Sequence, residues 1–215
     1  MGTVIYDKSS SLDGFIAGAN VRLEAGLGDD GERLHDWAFQ DDVGKELLER
    51  EVARLGAVMC GRRTYDMSIQ YWGADGPTGS ARVPLFVLSH GVPDEVPEGG
   101  VYTFVDDLVT ALARARETAG DKNISVMGAD VGRQLIDAGA IDEISVHLVP
   151  VLFGSGTPMF GEGVDEHVTL EFIGASEPAR HAPALPRRSR GMTLRRVAHK
   201  RGPCSVGNTE RGGSS

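Results

Sequence analysis

"VMGADVGRQLIDAG", residues 126–139, is an apolar run that breaks at Gly128 and restarts at once as a helical pattern. A strand that feeds a helix through a glycine exposes the first backbone N–H groups of the helix, beside a residue that lets a ligand come close. That setting suits anions such as phosphate. Asp130 reads as a residue that caps the helix. The stretch lacks a full G-x-G-x-x-G, and no Gly-Lys-Ser/Thr follows, so it is neither a Rossmann fingerprint nor a Walker loop. By itself it reads equally as a tight strand-to-helix turn.

The segments around it set the fold class. "TVIYDKSSSLDGFIAG" (residues 3–18) reads as a strand that breaks near Asp13 and Gly14 and resumes at "FIA". A polar, Gly/Asp-rich connection follows from Ala19 to Asp42, long enough to suggest function. "DVGKELLEREVARLG" predicts an amphipathic helix, with Val43, Leu47, Leu48, Val52 and Leu55 near helical spacing. Downstream, the strands "AVMCG", "PLFVLS", "VYTFV", "NISVMG" and "EISVHLVPVLF" are separated by the helices "RRTYDMS", "DDLVTALARARETAG" and "ADVGRQLIDAG". "VTLEFIGA" adds a further strand. Strands that alternate with helices predict a mainly parallel sheet covered on both faces, with antiparallel strands at its C-terminal edge.

The chain has 215 residues, 40% of them hydrophobic, which is enough for one domain with a substantial core. No window approaches a membrane span and the N-terminus has no signal-peptide pattern, so a cytoplasmic location is expected. Cys60 and Cys204 lie far apart with no Cys/His cluster, and the six histidines lack H-x-x-x-H spacing, so no metal is expected. A net charge of −9 argues against a nucleic-acid partner. The charge is unevenly spread: residues 176–215 carry nine Lys or Arg against two Asp or Glu, a +7 tail on a −16 body.

In an open α/β sheet, ligands bind beyond the carboxyl ends of the strands. Three such ends carry suitable chemistry. At "CGRRTYD", Gly61 ends a strand and Arg62, Arg63 and Thr64 open a helix, placing guanidinium forks and a hydroxyl beside free N–H groups; the other reading is a solvated helix start. At "VLSHG", Ser89 and His90 follow a strand, as they also do in ordinary turns. The third is the opening stretch. Three phosphate-competent ends in one chain point to a dinucleotide.

Taken in order, "SLDGFIAG", "GRRTYD", "VLSH" and "VMGADVGRQLIDAGAIDEISVHLVPVLFGSGTPMF" resemble the dihydrofolate reductase-like superfamily. Within it, the chain is most similar to the C-terminal reductase domain family of bacterial riboflavin biosynthesis, over roughly residues 3–175. The resemblance implies an αβα sandwich around a mostly parallel sheet, and an NADPH-dependent reductase of a small heterocycle of pteridine or ribosylaminopyrimidine type. It also implies that Gly61, Arg62, Arg63 and Thr64 hold the NADPH phosphates, and that Leu88, Ser89 and His90 surround the adenine ribose. Gly128, Ala129, Asp130 and Val131 would line the pyrophosphate and nicotinamide, with Asp13 and Gly14 against nicotinamide and substrate. Members of the family commonly dimerise, and "VHLVPVLFGSG" resembles the strand that takes part. No H-x-E with P-C-x-x-C occurs, so a zinc deaminase half is absent. No counterpart is evident of the buried carboxylate with which dihydrofolate reductases bind the pterin ring.

Such a reductase must orient the acceptor, exclude water and supply a proton. Asp13 is the candidate catalytic residue. In "GERLHDW", Trp37 could stack on a flat substrate, and His35 or Asp36 could act as acid near Glu32; alternatively the segment is a solvated loop with Trp37 packed on the core. A non-catalytic NADPH-binding sensor is the alternative function. The domain is expected to span 1–175, and 176–215 reads as an irregular basic tail, rich in Pro, Arg, Gly and Ser, without strand alternation. Two readings of that tail are open. It is a disordered extension, or the product of a shifted reading frame, since codons for Ala179–Ser189 can be chosen so that dropping one base yields an alternating strand. If the tail is as written, the sheet is expected to lack its last strand and expose an edge.

Overall fold

The computed structural model describes residues 2–40, 42–164, 167–176 and 190–196, with Ser176 and 190–196 described by their backbone only. Fifteen strands and α-helices are seen. In chain order they are β1 (Val4–Ser11), β2 (Phe15–Ala17), α1 (Asp36–Phe39), α2 (Asp42–Ala53), β3 (Leu55–Gly61), α3 (Arg62–Trp72), β4 (Leu85–Leu88), β5 (Tyr102–Val105), α4 (Leu108–Ala119), β6 (Asn123–Val126), α5 (Ala129–Asp137), β7 (Glu143–Val149), β8 (Thr157–Pro158), β9 (Leu170–Ser176) and β10 (Arg190–Arg196).

An eight-stranded sheet runs β5-β4-β3-β6-β1-β7-β10-β9, and β2 pairs with β8 in a separate two-stranded ribbon. The six strands from β5 to β7 are mutually parallel, whereas β10 is antiparallel to both β7 and β9. The period-two alternation of the parallel strands sorts their side chains between two cores. Ala57 and Met59 of β3 join Val4 and Tyr6 of β1 beneath α4 and α5, which contribute Ala111, Leu112, Ala115, Val131 and Leu135. Val58 and Cys60 turn the other way, toward Tyr65 of α3. Helices on both faces give a three-layer α/β sandwich.

The structure departs from the sequence expectations in four places. The 19–42 connection is not irregular throughout: Gly31–His35 forms a 3₁₀ turn that runs into α1, anchored by buried Leu34 and Ala38. β7 ends at Val149, because Pro150 cannot donate to the ladder. The apolar residues of α2 do not pack onto the sheet; Gly44 is its one buried residue, and Leu47, Leu48 and Val52 face a cavity that separates the helix from the strands.

The fourth departure is in the tail. The sheet is expected to lack its last strand, yet β10 lies between β7 and β9, with Met192 opposite Val146 and Leu194 opposite Ile144. The alternation was there to read, since Met192 and Leu194 flank Thr193. The Arg and Gly residues on either side of these positions obscured it. The edge therefore passes to β9, where Phe172 and Ile173 are exposed. Residues 179–189, on which the reading-frame alternative rests, lie outside the described residues.

Candidate active site

Three parallel strands end together at one crest. Met59 of β3, Val126 of β6 and Tyr6 of β1 share a rung, so two residues further on lie Gly61, Gly128 and Lys8. Gly61 and Gly128 are the N-caps of α3 and α5, and neither helix has a side-chain cap. The first N–H groups of both helices therefore point, uncapped, into the same space. Gly128 has φ +87°, a conformation that side chains disfavour, and a Cβ there would sit 2.6 Å from Thr64 Oγ1. A Cβ on Gly61 would come to 3.2 Å from Val131 Cγ2. The two motifs thus touch each other, and the glycines keep the crest open.

Asp130 is not the cap of α5. It lies in the first turn and accepts from Gln134 Nε2 at 2.8 Å, which leaves the α5 amides to a ligand. Arg62 is also occupied. Its Nε donates to Asp66 at 2.7 Å, and Nη1 donates to Ser89 Oγ at 3.3 Å and to the Gly91 carbonyl at 3.2 Å, tying α3 to the end of β4. Arg63 is exposed and, among the described residues, makes no ion pair.

This crest is one wall of a cavity of about 1980 Å³ that runs between the sheet and α2. Its walls bring together Gly61–Thr64, Leu88–His90, Gly128–Val131 and Trp37. Asp13 and Gly14 are not in them. Asp13 instead clamps a turn: its carboxylate accepts from Ser11 Oγ at 2.6 Å and from the backbone of Phe153 and Gly154 at 3.2 and 2.7 Å. The Ser11 bond, followed by that from Gly154, holds this exposed carboxyl below the usual range. An acid stabilised as its anion is a poor proton donor, so the geometry does not favour Asp13 as the catalytic residue.

On the far side of the cavity the floor is polar, which the sequence reading missed. Asp7 and Ser9 of β1 lie beside Ser145 and His147 of β7, in register as Asp7 with Ser145 and Ser9 with His147. His147 Nε2 is 3.1 Å from Asp7 Oδ1, although off the line of a good hydrogen bond: that buried oxygen has no hydrogen-bond partner. Burial pushes the Asp7 carboxyl up, but His147, Ser145 and Lys8 outweigh it and hold the group below its ordinary value. Trp37 stacks on the His147 ring, with centroids 4.1 Å apart and planes 13° from parallel, and its Nε1 donates to Ser9 Oγ at 2.9 Å. His35 is half-buried nearby, and burial, then Lys8, lower its pKa. Burial likewise pushes Lys8 down to about 8, against the pull of Asp7. The signal was legible in principle: polar residues recur at every second position of β7, as Glu143, Ser145 and His147, and β1 is polar from Asp7 onward.

Residues 2–179 match the family model described as the RibD C-terminal domain, and the chain belongs to that family. Among solved structures, it is similar to a putative riboflavin biosynthesis protein from Shewanella sp. PV-4, at 25% identity and TM-score 0.65, with 92% of this chain and all of that one covered. It also shares its fold with a dihydrofolate reductase from Enterococcus faecalis complexed with NADP(H), at 16% identity and TM-score 0.58 over 92% and 98% of the two chains. A diaminohydroxyphosphoribosylaminopyrimidine deaminase/5-amino-6-(5-phosphoribosylamino)uracil reductase from Thermotoga maritima is similar at 14% identity and TM-score 0.60, over 91% of this chain and 57% of that one. The fold is dihydrofolate reductase-like. No helix among the described residues is long and apolar enough to cross a membrane, and no group of three or more His, Cys, Asp or Glu among them could hold a metal.

Proposed function

We propose that the protein is an NADPH-dependent reductase of a small heterocyclic substrate, of pteridine or ribosylaminopyrimidine type. The observation that carries the reading is the paired glycine crest, Gly61 against Val131 and Gly128 against Thr64. There two helix N-termini converge on a groove, and a Cβ on either glycine would press against the facing motif. Such a groove fits a pyrophosphate. Membership of the RibD C-terminal domain family and a fold shared with an NADP(H)-bound reductase support the same reading.

In this reading, Gly61, Thr64, Gly128, Ala129 and Val131 hold the pyrophosphate through the uncapped helix N-termini. Arg63 faces the 2′-phosphate, and Leu88, Ser89 and His90 border the ribose. Arg62 ties α3 to the motif at the end of β4. When bound, the reduced nicotinamide supplies a hydride. Trp37, the Asp7 to His147 floor and the α2 roof enclose the substrate and keep bulk water from the acceptor. A single ligand site usually occupies some ~300–1,000 Å³, so the cavity has room for both molecules. A homodimer is part of the proposal, supported by exposed Leu152 after β7 and Phe172 on β9.

The test is loss of NADPH absorbance in the presence of a panel of ribosylaminopyrimidines, pterins and small carbonyls. Turnover of one member is the expected result. NADPH binding with silence across the panel would replace this reading with that of a nucleotide sensor.

A further inference from the structure

We propose that His147 is the proton donor to the substrate, with Asp7 as its positioning residue and Trp37 fixing the plane of its ring. The inference rests on the reductase reading above.

The geometry singles out this imidazole from the other candidates. Asp13 is exposed, hydrogen-bonded as an anion and outside the cavity. Lys8 turns toward Tyr6, its Nζ 5.7 Å from that ring centroid. His147 is 9% exposed, lines the cavity and lies between Asp7, whose Oδ1 is 3.1 Å from Nε2, and the face of Trp37, which is itself fixed by its hydrogen bond to Ser9. Neither ring nitrogen has a hydrogen-bond partner among the described residues; Nε2 faces Asp7 Oδ1 at 3.1 Å, and Nδ1 is the nitrogen not engaged by that carboxylate. An Asp–His pair in a sheet face gains little stability over apolar residues of the same size, because both groups lose their hydration. Its position on a cavity wall, not inside either apolar core, is what a functional pair requires.

When bound, a reduced nicotinamide would supply hydride to the acceptor carbon of a C=N or C=O group, and the π pair would pass to the heteroatom. That atom takes the proton from Nδ1–H of the imidazolium, whose positive charge the Asp7 carboxylate stabilises. The imidazole is left neutral, with its remaining proton on Nε2 toward Asp7, and is reprotonated from solvent once the product leaves.

Two measurements test this. In the cofactor-free protein carrying Trp72→Phe, added pterin or 5,6-diaminouracil should quench Trp37 fluorescence and shift the imidazole NMR signals that His147→Gln removes. Neither probe moving those signals would overturn the assignment. In turnover, His147→Gln should lower kcat on neutral acceptors by about 100-fold, while KM and NADPH affinity stay within about threefold. The same variant should keep hydride transfer to N-methylquinolinium, which needs no proton. Asp7→Asn should fall between, and His167→Gln, an exposed control, should match the wild type. If His147→Gln does not fold, His147→Asn takes its place. Equal loss on both acceptor types, or loss on neither, would sink the proposal. A wild type that fails to bind NADPH would instead refute the reductase reading and leave the probe-binding result to stand on its own.

Discussion

The crest and the floor of the cavity are built from different material. At the crest the working groups are main-chain amides, and the side chains that matter are those left out, at Gly61 and Gly128. At the floor they are side chains, Asp7 beside His147 across neighbouring strands and Ser9 bonded to Trp37 of α1. A crest of this kind tolerates no added atoms and favours an anion. The floor depends on which atoms carry protons. The contrast suits a fixed cofactor on one side and a reacting substrate on the other.

The largest effect is expected at the crest. Gly128→Val places a β-branched side chain at φ +87° and against Thr64, so backbone strain of about 1–3 kcal/mol adds to loss of the groove. NADPH affinity should fall by at least about 100-fold in a fluorescence titration, on the scale where ~1.4 kcal/mol is tenfold. Unchanged affinity would remove the crest from cofactor binding altogether.

Next comes the division of labour between the two arginines. Arg63→Ala should weaken NADPH about tenfold and leave NADH unchanged, because a free guanidinium discriminates the 2′-phosphate. Arg62→Ala should weaken both cofactors alike, since its bonds to Asp66, Ser89 and Gly91 fix the wall and not the ligand. The reverse pattern would exchange their roles.

At the floor, Asp7→Asn should cost about 1 kcal/mol in urea unfolding at neutral pH, because the carboxylate is partly open to the cavity. Its folded-state pKa lies below that of the unfolded chain. The contribution is therefore present above ~pH 4 and lost as pH falls further, so wild type and variant should converge in acid. The smallest effect is expected at Asp13. Asp13→Asn loosens a surface turn, so the melting temperature should drop slightly while turnover persists. Abolished turnover would restore Asp13 as a catalytic residue.

The crest was legible before the fold because each part of it is contiguous: a strand, a glycine and a helix start occupy adjacent positions in "CGRRTYD" and "VMGADVGRQLIDAG". That local grammar, with the order of the motifs, was enough for the layered architecture. Asp13 shows the limit of the same approach. It sits in a recognisable motif, yet its carboxylate accepts from amides 140 and 141 residues away. β10 shows a second limit, because its backbone pairs with β7 although Arg and Gly residues stand beside Met192 and Leu194 in the sequence.

The sequence alone determined the parallel sheet, its two apolar faces and the glycine junctions, since these follow from periodicity and from residues adjacent in the chain. Only the tertiary structure decided that Asp7 and His147, 140 positions apart, share one cavity wall, and that Arg62 is a latch while Arg63 is left open. The reason is that hydrogen bonds and ion pairs form between atoms within about 3 Å of each other, and the chain brings such atoms together by strand register, which no local pattern records.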